Sequence, residues 1–295
     1  MRTGLTVLVA AMSVSQLARS ETAAAAKPAK YAAPFQLRPA AAVNAVKFDD
    51  SLAISDGGTT NVTFLSGSYK VAEGWAPFVR VGAVGNWPKT TGSGFSVVNP
   101  ALGVTYARPL NAEFRLAASL TATVPVGMGG GNTPEATSAA ASKSGVFARS
   151  AMDNAMFAVN DFAVCPGIDL AYVAHDWTVQ VEATVLQLTR VRGDKAQPDA
   201  SKTNLTTGVF VGYFPVSALS VGGELKYQRW LSTPASVTKD AAFRDSLSFD
   251  VGARGHFKVA EGKWLRPGIA YTHGIDAPMT TQKYNIAQVD VLLNY

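Results

Sequence analysis

The last twelve residues, Tyr284 to Tyr295, limit most strongly what this chain can fold into. In an extended backbone Tyr295, Leu293, Val291, Val289 and Ala287 point one way, and Asn294, Asp290 and Gln288 point the other. One face is oily and the other seeks water. With no later segment to make a second layer over the oily face, the strand is read as lying against lipid, at the closing seam of a sheet.

The same period-two alternation recurs over 43–54, 61–71, 75–87, 94–107, 112–124, 160–173, 177–191, 204–214, 218–231, 244–258, 263–275 and 284–295, about twelve segments in all. Short breaks, such as Ala72-Glu73-Gly74 and Ala174-His175-Asp176, alternate with longer ones over 125–159, 192–203, 232–243 and 276–283. This rhythm of tight turns and long loops predicts an all-β fold: a transmembrane up-and-down antiparallel β-barrel of about 12 strands over residues 43–295. An even strand number puts both ends of the barrel on one side, the periplasm, and the long loops outside. Over 112–124, Phe114, Leu116, Leu120 and Val124 share a face opposite Glu113, Arg115, Ser119 and Thr123. Over 244–258, Leu247, Phe249, Val251 and Phe257 oppose Asp250, Arg254, His256 and Lys258. Trp75, Trp87, Trp177, Tyr213, Tyr227, Trp264, Tyr271 and Tyr295 fall near strand ends, where interfacial aromatic girdles form.

A chain that is 47% hydrophobic and 16% charged can cross a membrane this way without a long apolar run. The one apolar run, Leu5 to Val14, is too short for a helical span; with Arg2 before it and Ala18-Arg19-Ser20 after it, residues 1–20 read as a signal peptide. Residues 21–42, rich in Ala, Pro and Lys and without periodicity, read as a flexible periplasmic linker, with insertion into the barrel mouth as a plug as the alternative. Cys165, the single cysteine, excludes an internal disulfide framework and a multi-cysteine metal site. A net charge of +5 without a basic block does not favour nucleic acid as a partner; the expected partners are outer-membrane lipids and a small-molecule solute. No metal site or cofactor is expected.

If the polar faces point inward, Arg115, Glu182, Glu224, Asp250 and Arg254 line the lumen together with Arg80, Asp169, Lys226 and Asp290. Both signs are present, so the charges either pair across strands or line a solute path, and a strongly ion-selective ring is disfavoured. The longest loop, 125–159, is expected outside and partly helical. Thr133-Pro134-Glu135 signals a helix start, and Val146, Arg149, Met152, Asp153 and Met156 fall at helical spacing. Met152, Met156 and Phe157 are the expected gate, because methionine and aromatic side chains give adaptable contact to apolar solutes, with an extracellular cap packing on the barrel rim as the alternative for this loop. An enzyme has little support: the histidines are His175, His256 and His273, Ser246 and Ser248 near His256 are chance spacing, and no nucleophile-elbow or zinc-protease motif occurs. No catalytic residue is assigned.

The terminal strand resembles the closing strand of outer-membrane β-barrels, which implies recognition by the barrel-assembly machinery through Tyr295. Asn99-Pro-Ala-Leu-Gly-Val-Thr-Tyr-Ala-Arg108, followed by Phe114-Arg-Leu-Ala-Ala-Ser-Leu-Thr-Ala-Thr-Val-Pro-Val-Gly127, resembles barrels of the phenol-degradation-pathway outer-membrane family and, more loosely, hydrocarbon and fatty-acid uptake channels. The resemblance covers about a tenth of the chain and implies uptake of small apolar or aromatic compounds. It departs from the fatty-acid channels in lacking their longer N-terminal plug. The expected function is therefore an outer-membrane channel for passive passage of small solutes, apolar or aromatic compounds favoured over ions. A non-transporting anchoring barrel is the alternative, and a lipid-modifying enzyme the third reading.

Overall fold

A computed structural model describes residues 30–295; the signal peptide and the first part of the linker lie outside the described residues. The strands are β1 (Ala45–Ser55), β2 (Gly58–Ser68), β3 (Trp75–Pro88), β4 (Gly94–Val97), β5 (Ala101–Pro109), β6 (Phe114–Thr123), β7 (Asp161–Ala174), β8 (Trp177–Arg190), β9 (Ser201–Val216), β10 (Leu219–Trp230), β11 (Asp245–Gly255), β12 (Phe257–Ala260), β13 (Lys263–Gly274) and β14 (Asn285–Asn294). Strands next to one another in the wall pair antiparallel in chain order, β3 meeting both β4 and β5 and β13 meeting both β11 and β12, and β1 pairs with β14 from Ala45 opposite Asn294 to Ile54 opposite Asn285. The wall is thereby closed, with no free strand along its main circuit.

Twelve staves form the wall. β4 and β5 both pair with β3 and make one stave, interrupted at Val98-Asn99-Pro100. β11 and β12 both pair with β13 and make another, interrupted at His256. Both interruptions have local causes: Pro100 has no backbone donor for the ladder, and His256 donates its N–H to Ala218 rather than to a strand partner, at 2.8 Å. Tight turns close the end of the barrel that also carries Asn44 and Tyr295, here the terminal end. His175 and Asp176 turn β7 into β8 with φ of 50° and 65°, the left-handed pair that a two-residue hairpin requires. The longer connections close the opposite, loop end.

Burial is inverted relative to a water-soluble protein. Lys226 and Arg254 are each 1% exposed and face the lumen, whereas Ile269 is 62% exposed on the outside, among Phe48, Leu65, Leu120, Val251 and Val289. Such an apolar belt is stable against hydrocarbon and not against water. Asp50 interrupts the belt, but its carboxylate accepts from Asn61 Nδ2 at 2.9 Å and Thr63 Oγ1 at 2.5 Å, so the polar group is satisfied within the wall. Near the terminal end Trp75 stacks obliquely on Tyr106 and Trp177 on Tyr213, with centroids 4.8 and 4.6 Å apart, forming part of the expected girdle. Trp264 departs from that expectation, because it shares the inward register of Arg266 and Gly268.

Candidate functional site

The lumen is occupied from both ends. From the terminal end, residues 30–44 run up into the barrel and back, burying Ala32, Phe35, Leu37 and Ala40. From Lys30 onward, the segment expected to be a flexible linker lies within the lumen and is hydrogen-bonded to the wall. The reason lies in the lumen charges. Glu224 accepts backbone N–H donors from Phe35, Gln36 and Leu37. Glu182 accepts from Arg38 N at 2.6 Å, and Arg254 Nη2 donates to Pro34 O at 3.2 Å. Lys47 Nζ donates to Phe35 O at 2.6 Å, and Gln180 Nε2 to Arg38 O. The wall binds mainly the backbone of this segment, which explains why its sequence shows no pattern. Gly167 makes room for the Arg38 guanidinium, and a Cβ on Gly252 would meet Phe35 Cζ at 2.7 Å.

From the loop end, residues 125–159 fold inward. Their roots are pinned by Asn99, which is fully buried: Oδ1 accepts from Gly127 N at 2.9 Å and Nδ2 donates to Ala158 O at 2.8 Å. Arg192 Nη1 ties the same roots through Pro125 O, Gly127 O and Val159 O. Helix α1 (Ala136–Ala148) starts where expected, but Glu135 rather than Thr133 is its cap, accepting from Thr137 N at 2.8 Å and Ser138 N at 2.6 Å. Those hydrogen bonds from Ser138 and Thr137 lower the Glu135 pKa to about 2.

Continuous helical spacing to Met156 is not realised. Ser150 and Ala151 take φ of 54° and 58°, and one further helical turn, α2 (Asn154–Phe157), follows. The break lets Arg149 reach Asp49 Oδ1 and Ser51 Oγ, both at 2.8 Å, while its Nε bonds Asp153 at 3.1 Å. Arg80 grips Asp153 at 2.5 Å and lies over the Phe64 ring. Lys226 pairs with Asp250 at 2.6 Å and also donates to Ser150 Oγ. Met156 and Phe157 are buried in a cluster with Phe64, Val62 and Val84. Met152 packs on the cluster of Phe35, Leu37 and Phe210, so the two inserts meet at Met152.

The predicted lumen residues therefore all face inward, but four of the five touch residues 30–44. Arg115 lies over the Tyr31 ring at 5.5 Å, and Glu182, Glu224 and Arg254 hold the backbone. Asp250 is taken by Lys226. Asn99, Arg149 and Arg192 are the anchors that the sequence reading missed as a set; each looks ordinary by composition, and only the closed barrel brings Asn99 to both loop roots. A cavity of about 590 Å³ remains between the inserts. Met152 and Met156 bound it toward the loop end, and Asn44, Gly262 and Tyr295 at the terminal end.

His256 Nε2 lies 2.8 Å from Ser220 Oγ, not beside Ser246 or Ser248. Among the described residues no carboxylate bonds its Nδ1, and Phe214 packs on the ring at 4.8 Å between centroids. The pair lacks the orienting third group of a hydrolytic triad. No group of metal-ligating side chains occurs among the described residues.

No protein-family model and no curated protein sequence matches the chain. Among solved structures the fold is similar to the NanC porin, with a TM-score of 0.52 and 10% identity over 83% of this chain and 98% of that one. The KdgM porin aligns with a TM-score of 0.46 and 12% identity over 85% and 99% of the two chains. The CymD monoaromatic hydrocarbon channel aligns with a TM-score of 0.39 and 11% identity over 85% and 87%. The resemblance to the phenol-degradation-pathway family rests on the Asn99–Gly127 stretch alone; the structure is a closed antiparallel barrel similar in fold to the NanC porin.

Proposed function

We propose that this barrel is an outer-membrane channel for passive passage of small solutes, with apolar or aromatic compounds favoured over inorganic ions. The observation that carries the reading is a charged lumen holding a cavity of about 590 Å³ between two inserts, inside a wall whose outer face is oily. A porin-type barrel filled only for strength would close that space with side chains. The apolar preference is supported by Met152, Met156 and Phe64, which line the cavity at the level where the inserts meet. Arg115, Glu182, Glu224, Asp250 and Arg254 line the path, and Met152, Met156 and Phe157 form its gate. In this reading the terminal end faces the periplasm, residues 1–20 direct export, and the strand ending at Tyr295 engages the assembly machinery.

A liposome swelling panel of sugars, amino acids and aromatic acids tests it. Faster swelling with the aromatic acids than with sugars of similar size supports the proposal, and vesicles tight to every solute reject it. One observation favours the anchoring alternative: the lumen charges are largely engaged by the chain itself. In that case removing 138–156 would leave the vesicles equally tight.

A further inference from the structure

The cavity is lined by four arginines, and they are not equivalent. Arg38 pairs with Glu182 at 3.3 Å, Arg80 with Asp153 and Arg254 with Asp290 at 2.5 Å each. Arg266, on the inward face of β13, has no carboxylate within 4.0 Å among the described residues, and Arg254 Nη1 donates to its carbonyl oxygen at 3.3 Å. The side chain thus faces the cavity with a like charge beside it and no counter-ion.

A second observation points the same way. The buried guanidinium Nε donors without an acceptor belong to Arg38, Arg254 and Arg266, and all three line this cavity. A guanidinium without a carboxylate partner in a partly dry space favours an anionic acceptor, and its planar fork suits a carboxylate. The rest of the lining is mixed: Phe64, Phe78, Met156 and Leu292 supply apolar surface, and the carboxylates that reach the cavity, Asp49, Asp153 and Glu182, are each already paired with a cation. Its volume suits a molecule of one or two rings.

Resting on the channel reading, we infer that the cavity is a binding site for small amphipathic carboxylates, with the carboxylate held by Arg266 and the apolar body against Phe64, Phe78 and Met156. The site opens toward Tyr295 and Gly262 and is bounded above by Met152, so it is the terminal-end station of the path. The charge on Arg266 selects the anion, and the apolar wall excludes inorganic ions that have no body to bury.

Equilibrium binding to the full chain in nanodiscs, against empty nanodiscs, tests this with three matched probes: 3-phenylpropionate, 3-phenylpropanol and 3-phenylpropylamine. The carboxylate is expected to bind at least tenfold more tightly than the alcohol, with the amine weakest. Arg266→Gln should abolish that preference, Arg266→Lys should retain part of it, and Lys263→Gln at the exposed rim should leave it unchanged. Assembly of each variant is checked by its heat-modifiable gel mobility; should the Gln variant not assemble, the preference of the wild type and its reduction in Arg266→Lys carry the test. Equal binding of the three probes, no binding of any, or an undiminished preference in Arg266→Gln would overturn the inference. Binding requires no flux, so tight vesicles with intact carboxylate binding overturn the channel reading alone, whereas permeation without a carboxylate preference overturns this site alone.

Discussion

At the scale of single residues the lumen is a set of buried ion pairs, and their energetics differ from those of surface pairs. Lys226 and Asp250 are both fully buried, so removing one partner leaves an uncompensated charge. Lys226→Met is expected to destabilise the barrel by about 3–5 kcal/mol, and adding Asp250→Leu to recover most of that loss. Urea unfolding from lipid vesicles measures both; an unchanged midpoint in the single variant would mean that water reaches the pair. Asp153→Asn should act differently, because it loosens Arg80 and Arg149 together and frees the long loop while the wall stays intact. Its expected signature is faster solute entry at nearly unchanged unfolding midpoint. The inward-facing charges were legible, since alternation alone assigns Glu224, Asp250 and Arg254 to the polar side. Their partners were not: Glu224 binds three backbone N–H groups, and a backbone donor leaves no mark in a sequence.

At the scale of elements, the two inserts carry the functional argument. Asn99 joins both roots of the long loop, so Asn99→Ala is expected to leave the twelve staves folded while raising hydrogen exchange in α1 and across Gly127–Gly131. Protection equal to the wild type would show that Arg192 suffices. The cap of α1 has a defined pH window. Because the Glu135 pKa is lowered from 4.5 to about 2, its contribution is fully present above about pH 5 and is lost as pH falls from 4.5 toward 2. Helical content of the loop should therefore be flat between pH 5 and 8, and Glu135→Gln should weaken it at all these values. The helix start was readable from Thr133-Pro134-Glu135, displaced by two residues at the cap. The break at Ser150-Ala151 was not, since Arg149 through Met156 keep helical spacing, while the contacts of Arg149 with Asp49 and Ser51 and of Ser150 with Lys226 are made only across the lumen. Residues 30–44 show the same limit from the other side. An Ala- and Pro-rich segment without periodicity reads as a linker, yet Gly167, Gly208 and Gly252 in three different strands leave space for Arg38, Leu37 and Phe35. Gly252→Val is expected to expel the segment, exposing the buried Phe35 and Leu37 to chymotrypsin.

For the whole molecule, the barrel was the most legible part, because every hairpin repeats one physical rule: an oily face and a polar face separated by a turn. Closure adds what no hairpin shows, namely that Asp49 of β1 and Asp290 of β14 share Lys47 across the seam at 3.1 and 3.2 Å. Closure also turns two unremarkable stretches of chain into opposed inserts that meet at Met152 and leave one cavity between them. Planar-bilayer conductance of the full chain, compared with forms lacking 30–42 and 138–156 singly and together, tests this arrangement most directly. Small, brief openings in the full chain, larger ones when either insert is removed and a steady, wide conductance when both are gone are the predicted results; a bilayer that stays electrically silent in all four forms, with each barrel correctly assembled, would contradict the account.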